Sequence, residues 1–419
     1  MDSHDADEAL NEDEPQTLPV EGNACTSSHV PNPEGKNQYQ HCPLIRYWVV
    51  TDPFLQKILT QYHHDNITNR SKISRLLQAE HGIVMSEATV ARCQQQFGLL
   101  GSGQLTCLLP WSIKRQLVLD QLARDPLHCR GPRLVREAIV ADTGNLLTRK
   151  YVMDEMRQHE PDGFAQWGRS KKKISRFPIW AIRDQWSGKW LGMWVVPNNW
   201  LKTSIAYLYL SLLHELGGMP LQTTTDCGSE MTDVYGFATA LREIFSPNLS
   251  TDELPAHWFL KSVHNITIKC GWLHVQVQWG DNVKVFWEVG EEIYNDMDPR
   301  QYALVQWLWP RLIQQELDTL KHRLNTHTVR YDRDKLLPSG VSLNVGILLH
   351  KDYDAQNCLQ LVDRDVVKNL MEEIGGEDLI RFVDSEYSAA AQLIFDGLGF
   401  TILTFKNVWS VFSAMLPLI

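Results

Sequence analysis

The sequence lacks the signals that would place it quickly. None of its eight cysteines forms a CxxC pair, which removes the common zinc-ribbon and dithiol signatures. Scattered thiols suit a reducing compartment. His41-Cys42 with His63-His64 could in principle bind zinc, but the spacing matches no standard finger. Long apolar runs are also missing. The best stretch, residues 205–213, gives way to His214 and Glu215, well short of the roughly 20 residues a bilayer span requires. The start of the chain has neither a basic n-region nor an apolar core, so no secretory signal is expected. The expectation is an intracellular protein, nuclear or cytoplasmic, without a membrane partner.

Positive charge is nearly absent from the first 40 residues. Asp2, Asp5, Asp7, Glu8, Glu12, Asp13, Glu14, Glu21 and Glu34 stand against Lys36 alone, so −8 of the chain's net −10 sits there. With Pro15, Pro19, Pro31 and Pro33, residues 1–45 read as a disordered acidic tail. The remainder is close to neutral, so the acidic total does not argue against nucleic-acid binding. At 419 residues, 43% hydrophobic and 21% charged, the chain has the composition of a globular protein with two or three domains.

What is present begins with a weak internal repeat at an offset of 62 residues. Residues 68–80 (Ile73, Leu76, Leu77) and 132–142 (Val135, Ala138, Ile139) each read as an amphipathic helix. Each is followed by a glycine turn, an apolar residue, a Ser or Thr cap and a second helix, as in Gly82-Ile83-Val84-Met85-Ser86 and Gly144-Asn145-Leu146-Leu147-Thr148. This is the pattern of two helix-turn-helix units. If they bind DNA, early residues of each second helix face bases or phosphates: Glu87, Thr89 and Arg92, then Arg149 and Lys150. The competing reading is a packed helical domain that touches no DNA. A basic cluster follows (Arg169, Lys171, Lys172, Lys173, Arg176), either neutralising phosphates or forming a solvated linker.

From Phe177 the periodicity changes to β. Residues 177–182 and 189–196 predict a hairpin around Asp184-Gln185-Trp186-Ser187-Gly188. A helix over 201–216, a strand over 221–225 and a helix over 234–245 follow, with Asp226 delivered at the strand's end. Residues 299–331 read as helical, with Trp307 and Trp309 as core rather than stacking platforms. The rest, 336–419, reads as a small mixed domain with helices over 363–374, 385–398 and 408–419.

Several motifs carry a resemblance: Leu76-Leu77 with Glu80-His81-Gly82-Ile83, Gly131-Pro132-Arg133 with Glu137-Ala138-Ile139, Asp142-Thr143-Gly144, and Trp190-Leu191-Gly192 with Trp194-Val195-Val196-Pro197. To these are added Thr225-Asp226-Cys227-Gly228-Ser229-Glu230, Ser262-Val263-His264-Asn265-Ile266, Trp279-Gly280-Asp281-Asn282 and Asn407-Val408-Trp409-Ser410-Val411-Phe412. From about Ser71 onward the chain resembles a fungal family of integrase-core-domain proteins, relatives of retroviral and transposon integrases. The resemblance implies an α/β RNase H-like integrase core over 166–335, an all-α tandem helix-turn-helix region over 46–165 before it, and DNA as partner. It implies Asp226 as the second of three catalytic acids that would hold two Mg or Mn ions. Two departures follow. The third acid's position holds Lys269, and the strand that would carry the first acid is missing between Lys173 and Phe177. With one ligand of three left, two-metal chemistry is expected to be lost and no cofactor is expected. The favoured expectation is an integrase- or transposase-derived DNA-binding protein without strand transfer. The alternatives are an active Mg-dependent polynucleotidyl transferase with substitute carboxylates (Glu230, Asp233 or Asp281) and a non-enzymatic protein-interaction module. Homo-oligomerisation stays open.

Overall fold

The structure, a computed structural model, describes residues 52–159, 177–250, 252–261, 265–290, 292–335 and 337–419. Its first part is helical: α1 (Pro53–His64), α2 (Arg70–His81), α3 (Glu87–Gln96), α4 (Ser102–Leu108), α5 (Trp111–Leu122), α6 (Pro132–Thr143) and α7 (Arg149–His159). The repeat read from the sequence is kept in three dimensions. Arg70 and Pro132 open α2 and α6, and Glu87 and Arg149 open α3 and α7, each pair 62 positions apart. Gly82 and Gly144 end the first helix of each unit in the left-handed region, with φ of 65° and 69°. That conformation frees the terminal carbonyls to be satisfied by a tight turn and disfavours a Cβ. Ser86 Oγ accepts from the Thr89 amide at 3.3 Å, and Thr148 Oγ1 from the Tyr151 amide at 3.4 Å, so both second helices carry a side-chain cap. The buried sides correspond position by position: Ile73 with Val135, Leu76 with Ala138, Leu77 with Ile139, Met85 with Leu147, Val90 with Val152.

The β-rich part follows. Strands β1 (Ile179–Arg183) and β2 (Trp190–Val195) pair antiparallel, Trp180 opposite Trp194. Their turn is held by Asp184, whose carboxylate accepts from the Ser187 amide and hydroxyl. Helix α8 (Lys202–Leu216) is buried over most of its length and stops at Gly217 (φ 65°). Then come β3 (Gly218–Met219), β4 (Thr223–Asp226), α9 (Thr232–Phe245) and β5 (His257–Leu260). Strands β4 and β5 are parallel, joined through α9, and Asp226 lies opposite Leu260. After α10 (Ile266–Val275) the backbone makes one π turn over Gln276–Gly280 into α11 (Asp281–Glu288). The chain closes with α12 (Pro299–Thr326), α13 (Leu343–Leu348), β6 (Gln360–Leu361), α14 (Arg364–Glu373), α15 (Ser385–Gly397) and α16 (Val408–Met415).

The architecture is α-rich, with small sheets. Among the described residues the strands form three separate two-stranded sheets: β1 with β2, β4 with β5, and β3 with β6. No strand of the described residues bridges the hairpin and the parallel pair. The main core surrounds α12, where Trp307 and Trp309 are 3% and 0% exposed and pack with Met193 of β2 and Trp409 and Phe412 of α16. The tryptophans are therefore core residues. A second cluster joins α8, α9 and α14. The segment after 336 thus interleaves with the strands before it, since β6 pairs with β3 and α14 packs on α8.

Polar contacts tie the helical part to the rest. Asp125, fully buried, accepts from the Cys129 amide (3.0 Å), the Arg130 amide (2.7 Å) and Asn282 Nδ2 (2.7 Å). Asn282 in turn accepts from the Leu127 amide at 3.0 Å. Arg130 Nε donates to the Gln278 carbonyl in the π turn at 3.2 Å. Two histidine–carboxylate pairs add to this seam, His322 with Asp65 at 3.2 Å and His327 with Glu137 at 2.6 Å.

Candidate nucleic-acid interface and the surroundings of Asp226

The residues expected to meet DNA are on the surface. Glu87 and Arg92 of α3 and Arg149 and Lys150 of α7 are exposed, and Thr89 is half-buried. Thr89 Oγ1 is engaged locally, 3.0 Å from Ser86 Oγ and accepting from Arg92 Nη2 at 3.3 Å. Arg92 Nε also reaches back to the Ala88 carbonyl at 3.5 Å, so this guanidinium lies along its own helix. Arg149 and Lys150 have no hydrogen bond or ion pair among the described residues. Both stand in the first turn of α7, where unsatisfied amides already favour an anion. Lys171, Lys172 and Lys173 lie outside the described residues.

Asp226 is exposed at the end of β4, and its carboxylate has no hydrogen bond or ion pair among the described residues. Its neighbour Thr225 contacts His257 Nε2 through Oγ1 at 2.9 Å. Burial pushes the His257 imidazole below its ordinary value, which keeps it neutral near pH 7. Its ring packs edge-on to Tyr235 and tilted against Phe259.

Of the three carboxylates offered as substitute ligands, Asp233 is ion-paired, while one oxygen each of Glu230 and Asp281 is buried without a hydrogen-bond partner. Glu230 curls over Gly228, so closely that a Cβ there would fall 2.1 Å from Glu230 Oε1. This fits a loop-shaping role. Asp233 pairs with Lys202 at 3.1 Å. Asp281 is 2% exposed and reached by Gln276 Nε2 at 3.5 Å, at the start of α11 beside the Asp125 network. Lys269 is exposed on α10. No group of three His, Cys, Asp or Glu side chains suited to a metal ion exists among the described residues. A donor set of one carboxylate does not fit a pair of divalent ions, each of which takes several oxygen ligands.

Of the four residues of the zinc reading, His63 and His64 are described. His63 Nε2 sits 2.9 Å from the Gly144 carbonyl, and His64 Nδ1 donates to the Ala141 carbonyl at 3.1 Å. Both histidines join α1 to the end of α6; His41 and Cys42 lie outside the described residues. The residues that sequence reasoning missed are Asp125 and His257. Asp125 carried one faint signal, its place before Pro126, where an aspartate commonly initiates a turn. His257 carried none.

No family model, curated protein or solved structure matches this chain. No helix among the described residues is long and apolar enough to cross a membrane.

Proposed function

We propose that the protein is an integrase- or transposase-derived DNA-binding protein that has lost strand transfer. The observation that carries this reading is the duplicated unit. Two helices joined by a left-handed glycine and a capped second helix recur at a strict offset of 62 residues, with exposed polar residues opening each second helix. That arrangement suits a helix laid in a major groove. The finer fold assignment, an RNase H-like core without its first strand, belongs to the same proposal. Its support is the element order hairpin, helix, strand, helix, strand, helix, together with the split between the hairpin and the parallel pair. Loss of chemistry follows from the donor set around Asp226 and from Lys269 at the position where the resemblance expects an acid.

The test is duplex binding by the purified full chain. At low salt the protein binds duplex DNA, and affinity falls linearly on a log–log plot as salt rises, because bound phosphates release counterions. Absence of binding to any duplex at low salt removes the proposal. Recovery of a protein partner by a chain that binds no DNA would favour an interaction module instead.

A further inference from the structure

The corner between α4 and α5 turns apolar side chains outward. Helix α4 buries none of its seven residues. Just after it, Leu108, Trp111 and Ile113 are 69%, 56% and 48% exposed. The corner is nevertheless fastened. Thr106 Oγ1 accepts from the Thr148 amide at 2.9 Å, so the corner is tied to the start of α7. Lys114 Nζ donates to the Thr106 carbonyl at 3.0 Å and lies 4.9 Å from the centre of the Tyr151 ring. Trp111 is held as well. The Arg115 guanidinium lies over its ring, 4.7 Å from the centre, and donates from Nε to His159 at 2.9 Å. Charge around the corner has one sign. Residues 88–119 and 143–153 contain no Asp or Glu, and Lys114, Arg115, Arg149 and Lys150 fall within them. Of the carboxylates just beyond, Asp120 is engaged by Gln116 at 2.8 Å and Asp142 by Arg124 at 2.7 Å. Glu155 is buried beside His159, and Asp154 is exposed.

We infer that Trp111 is a stacking platform for an unpaired base of single-stranded nucleic acid, whose phosphates the surrounding cations attract. This rests on the reading above of a nucleic-acid-binding protein and adds an unpaired strand to what it takes. Every base has a π-face, so an exposed ring binds one without regard to sequence. A ring already fixed by Arg115 gives up little freedom on binding. Leu108 and Ile113 widen the apolar surface near the ring. Other occupants fit less well. A second copy of the same corner would bring like charges together. An anionic membrane asks for a helix with an apolar stripe, whereas α5 spreads its apolar residues around the axis.

The experiment titrates the full chain into a labelled oligothymidylate and follows fluorescence anisotropy. Trp111→Ala is expected to weaken binding about 5- to 100-fold, the loss expected for one stacked base. The slope of log affinity against log salt should stay unchanged, because the ring carries no charge. Trp111→Phe, which keeps a π-face, is expected to recover most of the loss. The ring belongs to no core cluster, so circular dichroism of both variants should match the parent. The inference is overturned if the parent has no affinity for the oligomer, or if Trp111→Ala binds it as the parent does. It is also overturned if Trp111→Phe loses as much as Trp111→Ala. Unchanged oligomer affinity in Trp111→Ala, with loss of sedimentation on phosphatidylserine vesicles or of self-association, would assign the corner to a membrane or to a second copy. Duplex binding, measured in parallel, separates the two readings. A parent that binds duplex while failing these tests overturns this inference alone, and a parent that binds neither overturns both.

Discussion

Cutting the Asp125–Asn282 bond should loosen the helical part from the α11 region by a measurable amount. Asp125 is fully buried, and three donors converge on its carboxylate at 2.7–3.0 Å. Asn282→Ala removes one donor to a charged acceptor and strands the Leu127 amide. A hydrogen bond to a charged group contributes about 1.5–3 kcal/mol and a neutral one about 0.5–1.5, so a cost of about 2–4 kcal/mol is expected. Asp125→Ala strands the Cys129 and Arg130 amides and the Asn282 side chain, and should cost at least as much. The decisive quantity is their coupling. With both residues gone, neither is left unpaired by loss of the other, so the double variant should cost less than the sum by about 1.5–3 kcal/mol. Urea unfolding of the four proteins measures this, followed by tryptophan fluorescence and far-ultraviolet circular dichroism together. Coincident transitions would license a single free energy of unfolding. Costs that add to within about 0.5 kcal/mol would refute the reasoning, because a shared buried bond cannot be lost twice.

Three further outcomes are expected. Gly144→Ala should destabilise more than Gly82→Ala: both sit at positive φ, but a Cβ at Gly144 falls 3.0 Å from His64 Nε2 while Gly82 faces open space, so thermal unfolding should separate them beyond the ~1 kcal/mol common to both. The hydrogen bond to Asp65 holds His322 above its ordinary value of 6.5 despite partial burial and Arg323 nearby. Its folded pKa exceeds the unfolded one, so the pair's stabilisation is complete below about pH 6.5 and lost as pH rises through the folded value. His322→Gln should cost about 0.5–1 kcal/mol at pH 5.5 and almost nothing at pH 9 by denaturant titration, a small figure because the imidazole is 40% exposed. Trp309→Ala empties the most voluminous fully buried side chain and should cost about 3–5 kcal/mol in the same assay.

The elements that were legible in the sequence share a property: their signals are local. The glycines at 82 and 144 and the caps at Ser86 and Thr148 fix helix ends within a few residues, so α2 and α6 begin and end, and α3 and α7 begin, close to where the pattern put them. Asp363 and Asp384 likewise cap α14 and α15 through their own side chains. Helix α5 gave no such signal, because its apolar and polar residues are spread around the axis and only Val118, Gln121 and Leu122 are buried. The pairing of β6 with β3 joins residues about 140 positions apart through only two residues on each strand, and no periodicity marks it. The candidate site divides in the same way. Exposure at Arg149 and Lys150 follows from helix phase, whereas the pairing of Asp233 depends on Lys202, brought from 31 positions earlier in the chain.

The surroundings of these carboxylates bear on the proposal that strand transfer is lost. For a substitute carboxylate to complete a metal site beside Asp226, it must leave its present contact. Asp233 would have to give up Lys202, with an ion pair worth about 0–1 kcal/mol at this partly exposed position. That cost is small, so Asp233 is the substitute with the least to overcome. Glu230 would have to uncover Gly228 and reshape the Ser229–Met231 turn, and Asp281 would have to leave a site where it is 2% exposed. Two carboxylates, with waters and DNA phosphates completing the shell, could hold one Mg or Mn ion but not the bridged pair that strand transfer uses. With Asp233 held by Lys202 and no phosphate in the cell, the expected result is no saturable Mn²⁺ binding by calorimetry at neutral pH, and an identical trace for Asp226→Asn. Mn²⁺-dependent nicking of supercoiled DNA that vanishes in both Asp226→Asn and Asp233→Asn would reverse the conclusion. It would show that Asp233 releases Lys202 to serve as a ligand.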